Sequence, residues 1–312
     1  MPDLLKNLGA GVLLSPEELT KLIKSSPHRY KTYDIPKRNP GEFRTIAQPA
    51  KEVKTLQYWV IKNVLKRFAI HSAATGYRTV LNIADNARRH VRGRFLLKLD
   101  FENFFPSLKA ADFKIFMRKH APQYSLIELE ALSRILFWNP KHTNELCLSI
   151  GAPSSPLVSN ILLRDFDDEV ATFCSSLGVS YTRYADDISF SAKVSDVLRQ
   201  VEVQVGRICE NLESPRLTLN RRKTVRVSKK TSRRVTGLVL TNDAKVSLGR
   251  DYKRNIRAAV HHFITNRLTA KECAKLRGVL AYVNSVEPEY LGRLREHYGH
   301  DVIQRILTLP TK

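Results

Sequence analysis

At 312 residues the chain is long enough for two or more lobes with separate cores. Its 43% hydrophobic and 26% charged residues exclude a disordered polymer, and no apolar run approaches the roughly 18 residues of a membrane helix. The net charge of +22 is unevenly spread: residues 1–98 hold 19 Lys/Arg against 7 Asp/Glu, residues 99–215 hold 11 against 16, and residues 216–257 hold 14 against 2. An acidic centre between basic flanks is the electrostatic footprint of a polyanion partner, most simply nucleic acid. A merely solvated basic face accounts poorly for the last segment. The start of the chain lacks a basic leader and a cleavage site. Cys147, Cys174, Cys209 and Cys273 are scattered with no C-x-x-C pair, which points to reduced thiols in a cytoplasmic protein and to neither a disulfide framework nor a zinc site.

The first predicted element is a helix opened by "SPEELTKLIK", with Ser15 as N-cap, Pro16 at the first helical position and Glu18 closing a capping box. "RYKTYDIPKRNPGEFRTIAQP" alternates as strands do, so Tyr30–Ile35 and Phe43–Ile46 are predicted to form a hairpin turning at "NPG". Leu56, Val60, Val64 and Leu65 carry a helix over 55–68. "FLLKLD" reads as a buried strand ending at Asp100, followed by a helical region and a "GAPSSP" loop. A single helix over 157–173 then presents Ile161, Leu162, Phe166, Val170 and Phe173. "VSYTRYADDISFSA" reads as a hairpin, 197–212 as a helix, and "RLTLN" as a strand. Strand, helix, hairpin, helix, strand is the β-α-β-β-α-β ferredoxin-like order. Beyond it, "KTVRVSKK" and "RRVTGLVL" read as strands. Four short helices, one opened by a Thr269/Glu272 capping box, complete a small basic lobe.

In a ferredoxin-like unit the end of the first strand can lie beside the turn of the central hairpin. Asp100 is then brought to Asp186 and Asp187 across 86 residues of sequence. Taken alone, Asp100 reads as an acid capping a turn, and Asp186 and Asp187 as acids of a wet hairpin tip. Three convergent carboxylates raise one another's pKa and suit a hard divalent cation such as Mg²⁺. Two such ions roughly 3.5–4 Å apart clamp the attacking and leaving oxygens of a phosphoryl transfer.

Four stretches, "LDFENFFPS", "GAPSSPLVSN", "YADD" and "LTLNRRKT", occur in the order and spacing of reverse transcriptases, and most of the chain resembles that family. The resemblance implies an RNA-directed DNA polymerase with an α+β right-hand fold. Residues 1–94 would form the N-terminal helix and fingers, 95–237 a ferredoxin-like palm with some fingers elements inserted, and 238–312 a small basic helical thumb. It implies that Asp100 and Asp186 are the principal ligands of two Mg²⁺ ions, with Asp187 the third carboxylate. Phe105 falls where the family gates against a ribose 2′-OH, although a core phenylalanine is the plainer reading. Arg44 matches an arginine that grips the triphosphate of a deoxynucleotide, and a surface arginine serves equally for that position. Lys223 matches a lysine near the leaving pyrophosphate. Ile150, before Gly151 of the "G-x-P-x-S-P" loop, departs from the usual glutamine and can offer the nucleotide only packing.

Two further stretches resemble signatures of retron reverse transcriptases: "NARRH", with Asn86, Arg88, Arg89 and His90, and "VTG", Val235, Thr236 and Gly237. The resemblance implies contacts from these residues to a cognate structured non-coding RNA, and the basic charge of the same flank adds Arg233 and Arg234 as phosphate contacts. That RNA serves as template and, through a guanosine 2′-OH, as primer. The product is a branched RNA–DNA (msDNA) used with an effector protein in defence against phage. The competing readings are a diversity-generating or group II intron-like enzyme and a non-catalytic RNA-binding scaffold.

Overall fold

A computed structural model describes residues 3–37, 41–140, 143 and 145–310. The helix predicted at Ser15 runs from Pro16 to Ser25, behind a first helix over Asp3–Val12. Its capping box forms, with Glu18 N donating to Ser15 Oγ at 3.3 Å and Ser15 N to the Glu18 carboxylate at 2.8 Å. Strands β1 (Tyr30–Pro36) and β2 (Phe43–Pro49) pair antiparallel from Tyr30↔Pro49 to Pro36↔Phe43. Asn39 and Pro40 of the expected turn lie outside the described residues. Most of β1 is exposed, so the hairpin projects from a base anchored at buried Ala47. The helix Lys51–Asn63 follows and buries Val53, Leu56 and Val60.

The central sheet contains β3 (Phe95–Asp100), β4 (Ser180–Tyr184), β5 (Asp187–Ala192) and β6 (Val225–Ser228), in the order β4-β5-β3-β6. All its pairings are antiparallel, as the ferredoxin-like order requires. Helices Arg164–Ser176 and Ser195–Asn211 pack against it, with Phe166, Val170, Val201 and Val205 in one continuous core. Two expectations change. The single helix expected over 157–173 is two, Ser155–Leu162 and Arg164–Ser176, because the backbone at Leu163 leaves helical geometry (ψ 9°). "RLTLN" is not the fourth strand. It runs beside residues 100–102, with Glu102 N donating to Thr218 O and Asn220 N to Asp100 O. It therefore meets the chain past the end of β3, with one bridge at Phe101↔Leu219, and the ladder itself is completed by β6.

A second, smaller sheet holds β7 (Arg233–Val235), β8 (Leu238–Leu240) and β9 (Val246–Ser247). Helices Arg250–Ile264, Ala270–Val286, Pro288–Tyr298 and His300–Leu307 complete this lobe around Ile256, Leu280, Leu291 and Ile303. The capping box at Thr269 and Glu272 is present. Ala84 and Ala87, from a short helix Ile83–Arg88, join that second core. No helix among the described residues is long and apolar enough to cross a membrane.

Candidate active site

β3 ends at Asp100 and β5 begins at Asp187, and register makes these two residues direct cross-strand partners. The β4–β5 hairpin turns through only Ala185 and Asp186, between the paired Tyr184 and Asp187. Ala185 takes the left-handed conformation (φ 57°) that a two-residue turn demands. Phe101 N donates to the Asp186 carbonyl at 3.2 Å, fixing the tip against the end of β3. Three carboxylates thus stand at one end of the sheet.

Two lysines attend them. Lys98 Nζ lies 2.8 Å from Asp187 Oδ2, and Lys223 Nζ lies 2.7 Å from Asp100 Oδ1. Burial, and then the charge of Asp100, raises the pKa of Asp186. Burial also raises that of Asp187, and Lys98 opposes the shift. No cluster of three or more His, Cys, Asp or Glu that could hold a metal ion is gathered among the described residues. The donor set itself fits a hard divalent cation: carboxylate oxygens only, with no thiolate or imidazole, partly buried and mutually repelling. Lys223, more than half exposed, occupies Asp100 in this arrangement.

Phe101 and Phe104 are core residues, 2% and 5% exposed. Phe105 is only half-buried and lines a cleft of about 420 Å³ with Tyr58, Tyr77, Ile150 and Gly151. The structure therefore gathers three of the expected nucleotide residues in one place. Gly151 has φ 124°, and a Cβ there would stand 3.0 Å from the Ala47 carbonyl. Ala47 N in turn donates to the Ile150 carbonyl at 2.8 Å, so the loop is bonded to the base of the β1–β2 hairpin. Arg44 is exposed on β2, and its charge opposes the rise in the Tyr77 hydroxyl pKa that burial and Asp186 cause.

Several expected RNA contacts need correction. Asn86 and His90 are 1% and 0% exposed. His90 Nε2 lies 2.7 Å from Thr182 Oγ1 on β4, and Nδ1 lies 2.9 Å from Ser191 Oγ on β5. Arg233 is 1% exposed, and its guanidinium donates to the carbonyls of Gly93, Leu240 and Thr241. Val235 is fully buried. His90, Arg233 and Val235 bolt the second sheet and the segment after the helix Ile83–Arg88 to the first sheet, and they, with buried Asn86, have no surface left for RNA. Arg88, Arg89, Arg234 and Gly237 are exposed and Thr236 is half-buried. Thr236 and Gly237 form the β7–β8 turn, where Thr236 Oγ1 donates to the Ile83 carbonyl at 3.1 Å. The helix that leads into "NARRH" and the "VTG" turn therefore touch, with Ala87 and Val235 in one core.

Sequence reasoning missed Lys98 and Tyr77. Lys98 had a signal, since it shares a strand face with Asp100 and interrupts an apolar run. Tyr77 had none: its ring reaches Phe105 (6.3 Å between centroids) and Tyr184 (6.1 Å) only through tertiary packing.

Residues 35–240 match the family model described as reverse transcriptase (RNA-dependent DNA polymerase). The Retron Ec83 reverse transcriptase of Escherichia coli is 38% identical over 288 residues, covering 91% of this chain and 92% of that protein. The chain is a reverse transcriptase of the retron type. The Retron Ec86 reverse transcriptase of Escherichia coli, 31% identical over 97% of both chains, agrees with that placement. This retron-type enzyme is an RNA-directed DNA polymerase with the right-hand fold of its family, and the ferredoxin-like sheet carries its three aspartates.

Proposed function

We propose that Asp100, Asp186 and Asp187 are the catalytic carboxylates and would hold two Mg²⁺ ions. The observation that carries this reading is the cross-strand pairing of Asp100 with Asp187 beside the Asp186 tip. When bound, such ions activate the attacking hydroxyl and neutralise the departing pyrophosphate. The chain's own side chains do the rest. Lys223, held on Asp100 here, is free to turn to the pyrophosphate once Asp100 is otherwise compensated. The Phe105 ring underlies the deoxyribose and leaves no room for a 2′-OH. Arg44 offers a planar fork to the triphosphate of the deoxynucleotide. Ile150 and Gly151 form an apolar wall that packs against the incoming pair. Residues 1–94, 95–237 and 238–312 serve as fingers, palm and basic thumb, with the β7–β8 hairpin crossing the last boundary and β7 packing with the thumb.

We further infer that the template is a cognate structured non-coding RNA held through the basic flanks. Arg88, Arg89, Arg234 and the Thr236–Gly237 turn are the exposed part of the retron signatures. Priming from an internal 2′-OH gives a branched msDNA, which acts with an effector protein against phage; the retron relatives support this reading. The test is the linkage in the product. The purified protein with its copurifying RNA, Mg²⁺ and deoxynucleotides should yield DNA joined to RNA by a 2′,5′ bond that a debranching enzyme cuts. DNA released free, or joined only through a 3′,5′ bond, overturns the priming assignment.

A further inference from the structure

Beneath the Ala185–Asp186 tip lies a polar cluster that nucleotide binding does not explain. Arg183 and Asp167 are both fully buried and paired through two hydrogen bonds, Nε to Oδ1 at 2.8 Å and Nη2 to Oδ2 at 2.6 Å. The Tyr181 hydroxyl donates to the same Oδ1 at 2.6 Å. The remaining guanidinium nitrogen, Nη1, reaches Asn160 Oδ1 at 3.2 Å and the carbonyl of Ala185 itself at 3.3 Å. Asn160 Nδ2 donates to the Gly76 carbonyl at 3.0 Å. Gly76 lies so close that a Cβ there would stand 2.9 Å from Ala185 N. The peptide of Arg183 is held as well, its N–H by Ala73 O and its carbonyl by Thr75 N, both at 2.8 Å.

Stability alone is a weak reason for such a cluster. A buried ion pair loses in desolvation much of what it gains in attraction, and apolar replacements of similar volume are often as stable. Geometry is the better reason. The left-handed backbone at Ala185 is disfavoured for a residue with a Cβ and persists only where its surroundings over-determine it. Nη1 grips that residue's carbonyl while Gly76 closes on its amide. The same cluster ties in the segment carrying Tyr77 and the helix Ser155–Leu162 that follows the Ile150–Gly151 loop. The turn and two walls of the nucleotide cleft are thereby held in one register.

We propose that Arg183, oriented by Asp167 and Asn160, is a positioning residue that aims the Ala185–Asp186 tip at the end of β3. The inference rests on Asp186 being catalytic, as proposed above. The test removes the charges together, in the triple variant Asp167→Leu, Arg183→Met and Tyr181→Phe, so that no buried charge or hydroxyl is orphaned. Asn160→Ala serves as a milder second variant. Extension of a simple annealed primer should show kcat reduced about 10- to 100-fold, the scale of a roughly 1 Å misplacement. The KM for deoxynucleotide, RNA affinity and thermal midpoint should stay near wild type, while amide hydrogen exchange across 183–190 accelerates. Wild-type kcat and exchange in the triple variant overturn the proposal. If that variant does not fold, wild-type kcat in Asn160→Ala overturns it equally. Asp186→Asn, run alongside, keeps the two readings apart. Synthesis by Asp186→Asn defeats the catalytic reading and this inference with it. A silent Asp186→Asn beside a fully active triple variant defeats the positioning role alone.

Discussion

Lowering the pH from 7.5 to 5.5 should destabilise this protein most strongly through His90. Its imidazole is fully buried between Thr182 and Ser191, and burial, with a smaller push from Arg89, lowers its pKa from 6.5 to about 3. The folded state therefore takes up no proton there until about pH 3, whereas the unfolded chain does so near 6.5. The stability that His90 contributes is complete above the unfolded value and is lost progressively as pH falls from there toward the folded one. The slope approaches about 1.4 kcal/mol per pH unit, so between pH 7.5 and 5.5 the loss is about 1.4 kcal/mol. His90→Gln is the comparator, because its amide can still donate at one end and accept at the other but cannot titrate. Urea denaturation of both proteins across that range gives the difference directly, since every other titrating group cancels. The gap between wild type and variant should change by about that amount in favour of the variant as pH falls. Parallel pH profiles would refute the burial argument and reopen His90 as a residue exposed to RNA.

Other outcomes follow from the same geometry. Replacing Lys229, Lys230 and Arg234 with alanine should reduce the salt dependence of RNA binding by a log–log slope of roughly 1 for each phosphate these cations neutralise, while Arg233→Ala should act on stability instead, because Arg233 is interior. Binding isotherms from low to high salt, beside thermal melts, separate the two effects. Phe105→Ala should raise ribonucleotide incorporation relative to deoxynucleotide, read as the ratio of kcat/KM values, if the half-buried ring underlies the sugar. Gly151→Ala should loosen the base of the β1–β2 hairpin, since a Cβ would press on the Ala47 carbonyl at 3.0 Å from a backbone at φ 124°. The expected cost is about 1–2 kcal/mol with a higher KM for deoxynucleotide, measured by melts and steady-state kinetics.

Local chemistry was legible from the sequence wherever it acts over three or four residues. The capping boxes at Ser15 and Thr269 formed as read, because their partners lie one helical turn away. The juxtaposition of Asp100 with Asp187 was also legible, since the order of elements fixes which strand ends meet. Further boxes at Asn82 with Asp85 and at Ser125 with Glu128 open the helices Ile83–Arg88 and Leu126–Leu136 and were equally open to reading. What failed depends on partners distant in sequence. "RLTLN" has the composition of a strand, yet it passes β3 where that strand has already ended. His90 and Arg233 look like surface cations until Thr182, Ser191 and the carbonyls of Gly93 and Thr241 close around them. Nothing in the spacing of Asp167 and Arg183 marks them as a buried pair.

Catalysis at the end of the central sheet stands or falls on Asp186. Asp186→Asn keeps the shape of the side chain and removes a charge that burial and Asp100 already disfavour, so the fold should be as stable as wild type or slightly more so. The decisive measurement is deoxynucleotide addition to an annealed primer on an RNA template with Mg²⁺, made on this variant after its melting midpoint and RNA affinity are shown to be unchanged. Addition should fall to background. A folded, RNA-bound Asp186→Asn protein that still extends the primer would contradict the assignment of catalysis to the end of this sheet.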